Sequence, residues 1–185
     1  MMDLTGKLLI AMPGMEDPRF DHSVIYMCSH TADGAMGLIV NKTADLPLSA
    51  LLNQLDISCD NPDVGALPVR FGGPVETARG FVLHSAEYEA SLHSTDIADG
   101  FRMTATLDIL EDIANGEGPM QELLMLGYSG WGPGQLEGEI AQNGWLTTDA
   151  DAHLIFAVPD HQKWEAALKT LGVDALTLSA SAGHA

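Results

Sequence analysis

The chain has 185 residues, of which 26 are acidic and 8 basic, giving a formal net charge of −18 with histidines neutral. Such a balance excludes a direct grip on nucleic-acid phosphates or anionic membrane surfaces, because both depend on clustered Lys and Arg. Hydrophobic residues make up 46% and charged residues 18%, which excludes disorder and fills one core, so one domain over residues 1–185 is expected.

Only a short apolar run, residues 8–12, follows the start before Pro13-Gly14, so no secretory leader is expected. No apolar run approaches the roughly 20 residues of a membrane-spanning helix. Cys28 and Cys59 form no Cys-x-x-Cys pattern and are expected to stay reduced, with the cytoplasm as the natural location.

Residues 8–12 read as a strand stopped by Pro13-Gly14, and 15–22 as a loop of turn formers and charge. Residues 23–29 and 36–40 read as strands around a hairpin turn at Thr31-Ala32-Asp33-Gly34. Their unbroken apolar runs, Val24 to Met27 and Leu38 to Val40, predict strands covered on both faces. A helix is expected over 48–55, with Leu48, Leu51, Leu52 and Leu55 on one stripe and Pro47 near its start. Residues 58–67 read as a loop, 69–71 as a strand running into Gly72-Gly73-Pro74, and 80–84 as another strand. Asp99-Gly100 turns the chain into a strand at 101–104. A helix at 107–114, a strand at 122–126 and a helix at 134–142 follow, the last with Glu137 and Glu139 facing outward. Strands at 145–148 and 153–158 precede an amphipathic helix over 160–171, ended by Gly172. Hairpins at the front without strict strand–helix–strand alternation predict an α+β fold with a mixed, largely antiparallel sheet.

The stretch Gly127-Tyr128-Ser129-Gly130-Trp131-Gly132-Pro133-Gly134 joins a strand to a helix. Serine hydrolases place Gly-x-Ser-x-Gly at such a turn, but Trp131 stands where the second glycine is required. Besides a nucleophilic Ser129, two readings stay open. One is an anion site on the free N–H groups near Gly134. The other is a tight crossover in which Trp131 fills a groove. Residues 37–43 lack the glycine that a phosphate loop needs before Lys42, and no Gly-x-Gly-x-x-Gly occurs, so no nucleotide fingerprint is present. The histidines are His22, His30, His84, His93, His153, His161 and His184, and none has metal-ligand spacing on one element. Asp17, Asp21, His22 and His30 would converge as a metal or acid/base site if the first hairpin folded back. The plainer reading gives His22 and His84 hydrogen bonds at strand ends. No cofactor or metal is implied. Residues 103–162 hold ten acidic residues and no Lys or Arg, either a solvated face or a surface for a basic partner or cations.

Several blocks resemble the YqgE/AlgH family of bacterial proteins over nearly the whole chain. They are Gly6-Lys7-Leu8-Leu9-Ile10-Ala11-Met12-Pro13-Gly14-Met15 with Phe20 and Ser23-Val24, then His30 with Gly34-Ala35-Met36-Gly37-Leu38-Ile39-Val40-Asn41-Lys42. Gly72-Gly73-Pro74-Val75 and Gly80-Phe81-Val82-Leu83-His84 follow, then Gly127-Tyr128-Ser129-Gly130-Trp131, Gly134-Gln135-Leu136-Glu137 and Trp145. The resemblance implies an α+β fold with a partly barrel-like sheet surrounded by helices. The family pattern often has alanine at the place of Ser129, which argues against a catalytic serine. One branch carries a transcriptional-regulator label tied to alginate control, and the charge of −18 argues against direct DNA contact.

Two functional readings follow. In the first, the chain is a cytoplasmic regulatory or interaction protein with an indirect link to transcription, since its residues assemble no coherent catalytic set. In the second, it is an enzyme or a binder of a small anionic ligand. That ligand would lie among Asn41, Lys42, Gly72, Gly73, His84, Gly127, Gly130, Trp131 and Gly134, where glycines admit close approach to the backbone.

Overall fold

The computed structural model describes residues 2–88, 94–98 and 100–172. His93, Asp99 and His184 lie outside them. The unbroken apolar runs at the front become β1 (Lys7–Ala11), β2 (Val24–Thr31) and β3 (Gly34–Ile39), an antiparallel meander. Both faces of these strands are covered, as expected. Leu8, Ile10, Val24 and Tyr26 point into one apolar cluster, while Leu9, Ala11, Ile25 and Met27 point into another.

The remaining elements follow in chain order. β4 (Thr43–Pro47), α1 (Leu48–Gln54), the single turn α2 (Pro62–Gly65) and β5 (Pro68–Phe71) precede β6 (Val75–Ser85), β7 (Ser94–Ala98) and β8 (Phe101–Thr104). After them come α3 (Leu107–Ala114), β9 (Glu122–Trp131), α4 (Gln135–Ala141), β10 (Trp145–Asp149), a π-helical turn (His153–Ala157) and α5 (Asp160–Thr170). The strand order is β10-β1-β2-β3-β9-β6-β8-β7, and β5 joins β9 in parallel with β4 at its side. The other pairings are antiparallel.

The sheet curls into a half-barrel. The curl brings Tyr26 of β2 and Phe101 of β8 to 4.9 Å between ring centroids. The π-helical turn and α5 cover one face through Leu154, Ile155, Trp164 and Leu168, and α4 covers the other through Leu136. A further cluster forms where Leu48 and Leu52 of α1 and Ile109 and Ile113 of α3 meet Val69, Val82 and Leu124.

Four local expectations are corrected. Residues 153–158 form the π-helical turn, not a strand: Val158 N–H donates to His153 O at 3.1 Å, and Asp151 Oδ1 accepts from His153 N–H at 2.9 Å. A short apolar run does not by itself distinguish the two. The loop at 58–67 contains α2, where Pro62 takes the first helical position and Asn61 Oδ1 accepts from Asp63 N–H at 2.9 Å. The strand at 122–126 runs on to Trp131. Finally, β4 and β7 are strands that the sequence does not announce, since each offers only two apolar residues, Ala44 and Leu46 in one and Ile97 and Ala98 in the other.

Candidate functional site

β9 belongs to two neighbourhoods. Its first half lies between β5 and β6, and its second half pairs with β3. Gly127, at φ +78°, makes the bend between them. There the segment after β5 crosses β9 backbone to backbone. A methyl group added at Gly72 would overlap Gly127 O, one at Gly73 would overlap the Tyr128 carbonyl, and one at Gly127 would overlap Gly73 O. Gly72 N–H donates to Leu126 O at 2.8 Å, and its carbonyl accepts from Ile39 N–H at 2.9 Å. These glycines bring two strands together. Ser129 lies inside the extended strand, not on a turn; it is fully buried, and its hydroxyl donates to Gly72 O at 3.2 Å.

The other anticipated residues are distributed around this crossing. Asn41 ties the 12–22 loop to β2: its Oδ1 accepts from Val24 N–H at 2.9 Å and its Nδ2 donates to His22 O at 2.8 Å. Lys42 Nζ donates to Asp21 O at 2.7 Å. Gly134, at φ +74°, is the N-cap of α4. His84 is buried between β8 and the end of β6. Its Nδ1 donates to Ser85 O at 2.9 Å and its Nε2 accepts from Thr104 Oγ1 at 2.8 Å. Burial pushes the His84 imidazole below its usual value, so it sits neutral.

Gly130 and Trp131 form the wall between two open cavities. One, of about 700 Å³, lies between the β2–β3 hairpin and β6, with Met36, Arg79, Phe81 and Tyr128 in its lining. The other, of about 590 Å³, lies between the 12–20 loop and α4, and is lined by Met12, Met15, Phe20, Gln135, Glu139 and Trp145. Val75 borders both. Blocks from distant parts of the sequence thus meet at one cleft: Met12-Pro13-Gly14-Met15, Phe20, Pro74-Val75, Gly130-Trp131, Gln135 and Trp145.

At this cleft Glu139 Oε1 accepts from the indole N–H groups of both Trp131, at 3.1 Å, and Trp145, at 3.0 Å. Gln135 Nε2 donates to Glu139 Oε2 at 2.9 Å, and Gln135 Oε1 accepts from Gly132 N–H at 3.0 Å. Trp145 packs edge-on against Trp131 and Phe20, at 6.2 and 5.8 Å between centroids. The charged groups are Glu16, Asp17 and Glu139 against Arg19. Arg19 is already engaged with Asp17, through Nη2 at 2.7 Å, and this holds the Asp17 carboxyl below its usual range.

Glu137 and Glu139 do not simply face outward. His30 Nδ1 accepts from Leu4 N–H at 3.1 Å, which leaves Nε2–H to donate to Glu137 Oε1 and keeps that carboxyl ionised. Asp17, Asp21, His22 and His30 do not converge. Asp17 pairs with Arg19, Asp21 with His22 and His30 with Glu137, and no cluster able to hold a metal forms among the described residues. Glu139 escaped the sequence reading. Its signal was its place on a short helix between Trp131 and Trp145.

A family model described as AlgH-like matches residues 8–176. A UPF0301 protein of Ruegeria pomeroyi is 68% identical over 184 residues, covering 100% of both chains. Another from Paracoccus denitrificans is 55% identical, covering 99% of this chain and 97% of its own. The solution structure of the AlgH protein from Pseudomonas aeruginosa superposes with a TM-score of 0.81 at 40% identity, covering 100% of this chain and 97% of that one. The crystal structure of a Corynebacterium diphtheriae protein, with a TM-score of 0.75 and 20% identity over 97% of this chain and 93% of that one, shares the fold. On this agreement of sequence and architecture, the chain belongs to the AlgH-like family.

Proposed function

We propose that this chain is a cytoplasmic regulatory protein that works by binding a partner protein, with an indirect link to transcriptional control. The observation that supports this reading is the Trp131 cleft, where sequence blocks from distant regions converge around a carboxylate anchored by two indoles. Its carboxylates outnumber its single arginine, and that arginine is already paired. Such a lining suits an arginine- or lysine-bearing segment, which gains from both the aromatic surface and the fixed negative charge. An anionic ligand finds less support, because the Lys42 ammonium is engaged by Asp21 O and acidic groups prevail in the cleft.

The test uses Glu16, an exposed carboxylate in the lining of the cleft. Glu16→Lys reverses its charge and leaves the hydrogen bonds of Glu139 to Trp131 and Trp145 in place. A partner with a basic binding segment should be captured by the unaltered chain and lost by Glu16→Lys, with the circular dichroism spectrum unchanged. Equal capture by both chains, capture of nothing reproducible, or saturable binding of inorganic phosphate at the cleft would count against this reading.

A further inference from the structure

Away from Trp131, a smaller cavity of about 140 Å³ lies between α1, β6, the start of α3 and β9, with Leu51, Val82, Leu110 and Leu124 in its walls. Leu55 and Leu107 also line it, yet they remain 37% and 51% exposed, which places apolar side chains at its mouth. β6 leaves room here: a methyl group added at Gly80 meets nothing within 4 Å except Met125 O, at 4.0 Å. Two threonines join the wall, and Thr104 Oγ1 is already bonded to His84 and Ser94. Thr106 is the N-cap of α3 but makes no capping bond, and its hydroxyl is buried without a hydrogen-bond partner among the described residues. Buried hydroxyls are seldom left unpaired, and a few placed polar groups in an apolar pocket are the usual device for orienting a ligand. The leucines at the mouth are each followed by an aspartate, Asp56 and Asp108, which disfavours an anionic occupant such as a free fatty acid.

We propose that this pocket binds a small neutral ring or short chain carrying one hydroxyl or N–H group. Its apolar body lies against Leu51, Val82, Leu110 and Leu124, and its polar atom bonds Thr106 Oγ1, which gives up no hydrogen bond as the side chain turns about χ1 toward the cavity. The volume is close to that of an engineered aliphatic cavity of about 150 Å³ that takes up benzene, so a single ring fills it.

Phenol and benzene are the probes, titrated into the full chain and followed through the methyl resonances of Leu51, Leu107 and Leu110. Phenol should shift these resonances saturably at millimolar concentration, and benzene should bind about 5-fold more weakly, the worth of one neutral hydrogen bond. Thr106→Val should remove that difference while leaving benzene affinity unchanged. Gly80→Val should abolish binding of both by filling the space. If that variant does not fold, Ala78→Phe, on an exposed stretch beside the mouth, should block entry instead. The proposal is overturned if phenol gives no saturable shift, if phenol and benzene bind the unaltered chain equally, or if the filled variants bind like the original.

Discussion

His84 keeps a neutral imidazole inside the sheet through a chain of hydrogen bonds. With Nδ1 donating to Ser85 O, Nε2 must accept from the Thr104 hydroxyl, so Thr104 Oγ1 accepts in turn from Ser94 Oγ at 2.7 Å. Protonation would break this chain and place a charge among apolar neighbours. The folded pKa lies below the unfolded value of 6.5, so the unfolded state takes up a proton first as pH falls. The stabilising contribution is therefore complete above about pH 6.5 and declines as pH drops through the folded value. Urea unfolding between about pH 5 and 8 should show this acid-side loss, and His84→Gln should flatten it while lowering stability at neutral pH. Cys28 follows the same physics with opposite sign: burial pushes its thiol up to about 12, so it remains a protonated, unreactive part of the core.

Among the elements, β9 organises the fold because it serves two neighbourhoods and bends at Gly127. Gly127→Ala would place a methyl against Gly73 O and force an alanine to φ +78°. A loss of about 3 kcal/mol or more, or failure to fold, is expected in denaturant unfolding. The same strand shows where sequence reasoning succeeds and where it stops. The runs from Val24 to Met27 and Leu38 to Val40 are legible because strands buried on both faces need apolar residues at every position. The helix at 107–114 is legible from Leu107, Leu110 and Ala114 falling in phase, although the buried stripe is Ile109, Leu110, Ile113 and Ala114 and Leu107 stays exposed. The continuation of β9 is hidden because Gly127 and Gly130 ordinarily punctuate strands, whereas here the first bends the strand and the second opens a cleft. Leu154, Ile155 and Phe156 satisfy a strand pattern equally well, and what decides for the π-helical turn is packing against Trp164 and Leu168 of a helix later in the chain. The candidate site is legible as a set of blocks but not as a surface. Gly72, Gly73 and Gly127 serve a backbone crossing, and Glu139 gains its role only when α4 folds between two tryptophans. At the start of α5, Lys163 is buried yet compensated, its Nζ donating to Val40 O and Asp160 Oδ1, both at 2.9 Å, while Arg70 shares Asp160 at 3.0 Å. Part of this basic complement is thus spent on internal order, which leaves the acidic excess outward.

For the whole molecule, a charge of −18 sets the terms on which anything approaches. Ten of the acidic residues fall within 103–162, the stretch that includes β9, α4 and β10 and so much of the cleft wall. Association with a basic partner should therefore be steered by the field and weaken as salt rises, mainly through slower association. Stopped-flow measurements over a salt series should show a falling association rate with a nearly constant dissociation rate. A rate insensitive to salt would assign recognition to the aromatic surface alone. No helix among the described residues is long and apolar enough to cross a membrane.

The shared carboxylate of Glu139 has an optical consequence. The chain has three tryptophans, and two of them, Trp131 and Trp145, lie 6.2 Å apart with both indole N–H groups on one oxygen. Excitation passes readily between rings so close, and a negative charge beside the indole nitrogens shifts their emission. Trp164, buried in the core, donates to Ala11 O at 2.8 Å and packs against His22 at 4.1 Å between centroids, so it emits from a separate environment. The cleft therefore carries its own fluorophore pair, and a cation settling on Glu139 changes the colour of the protein's intrinsic light without any label.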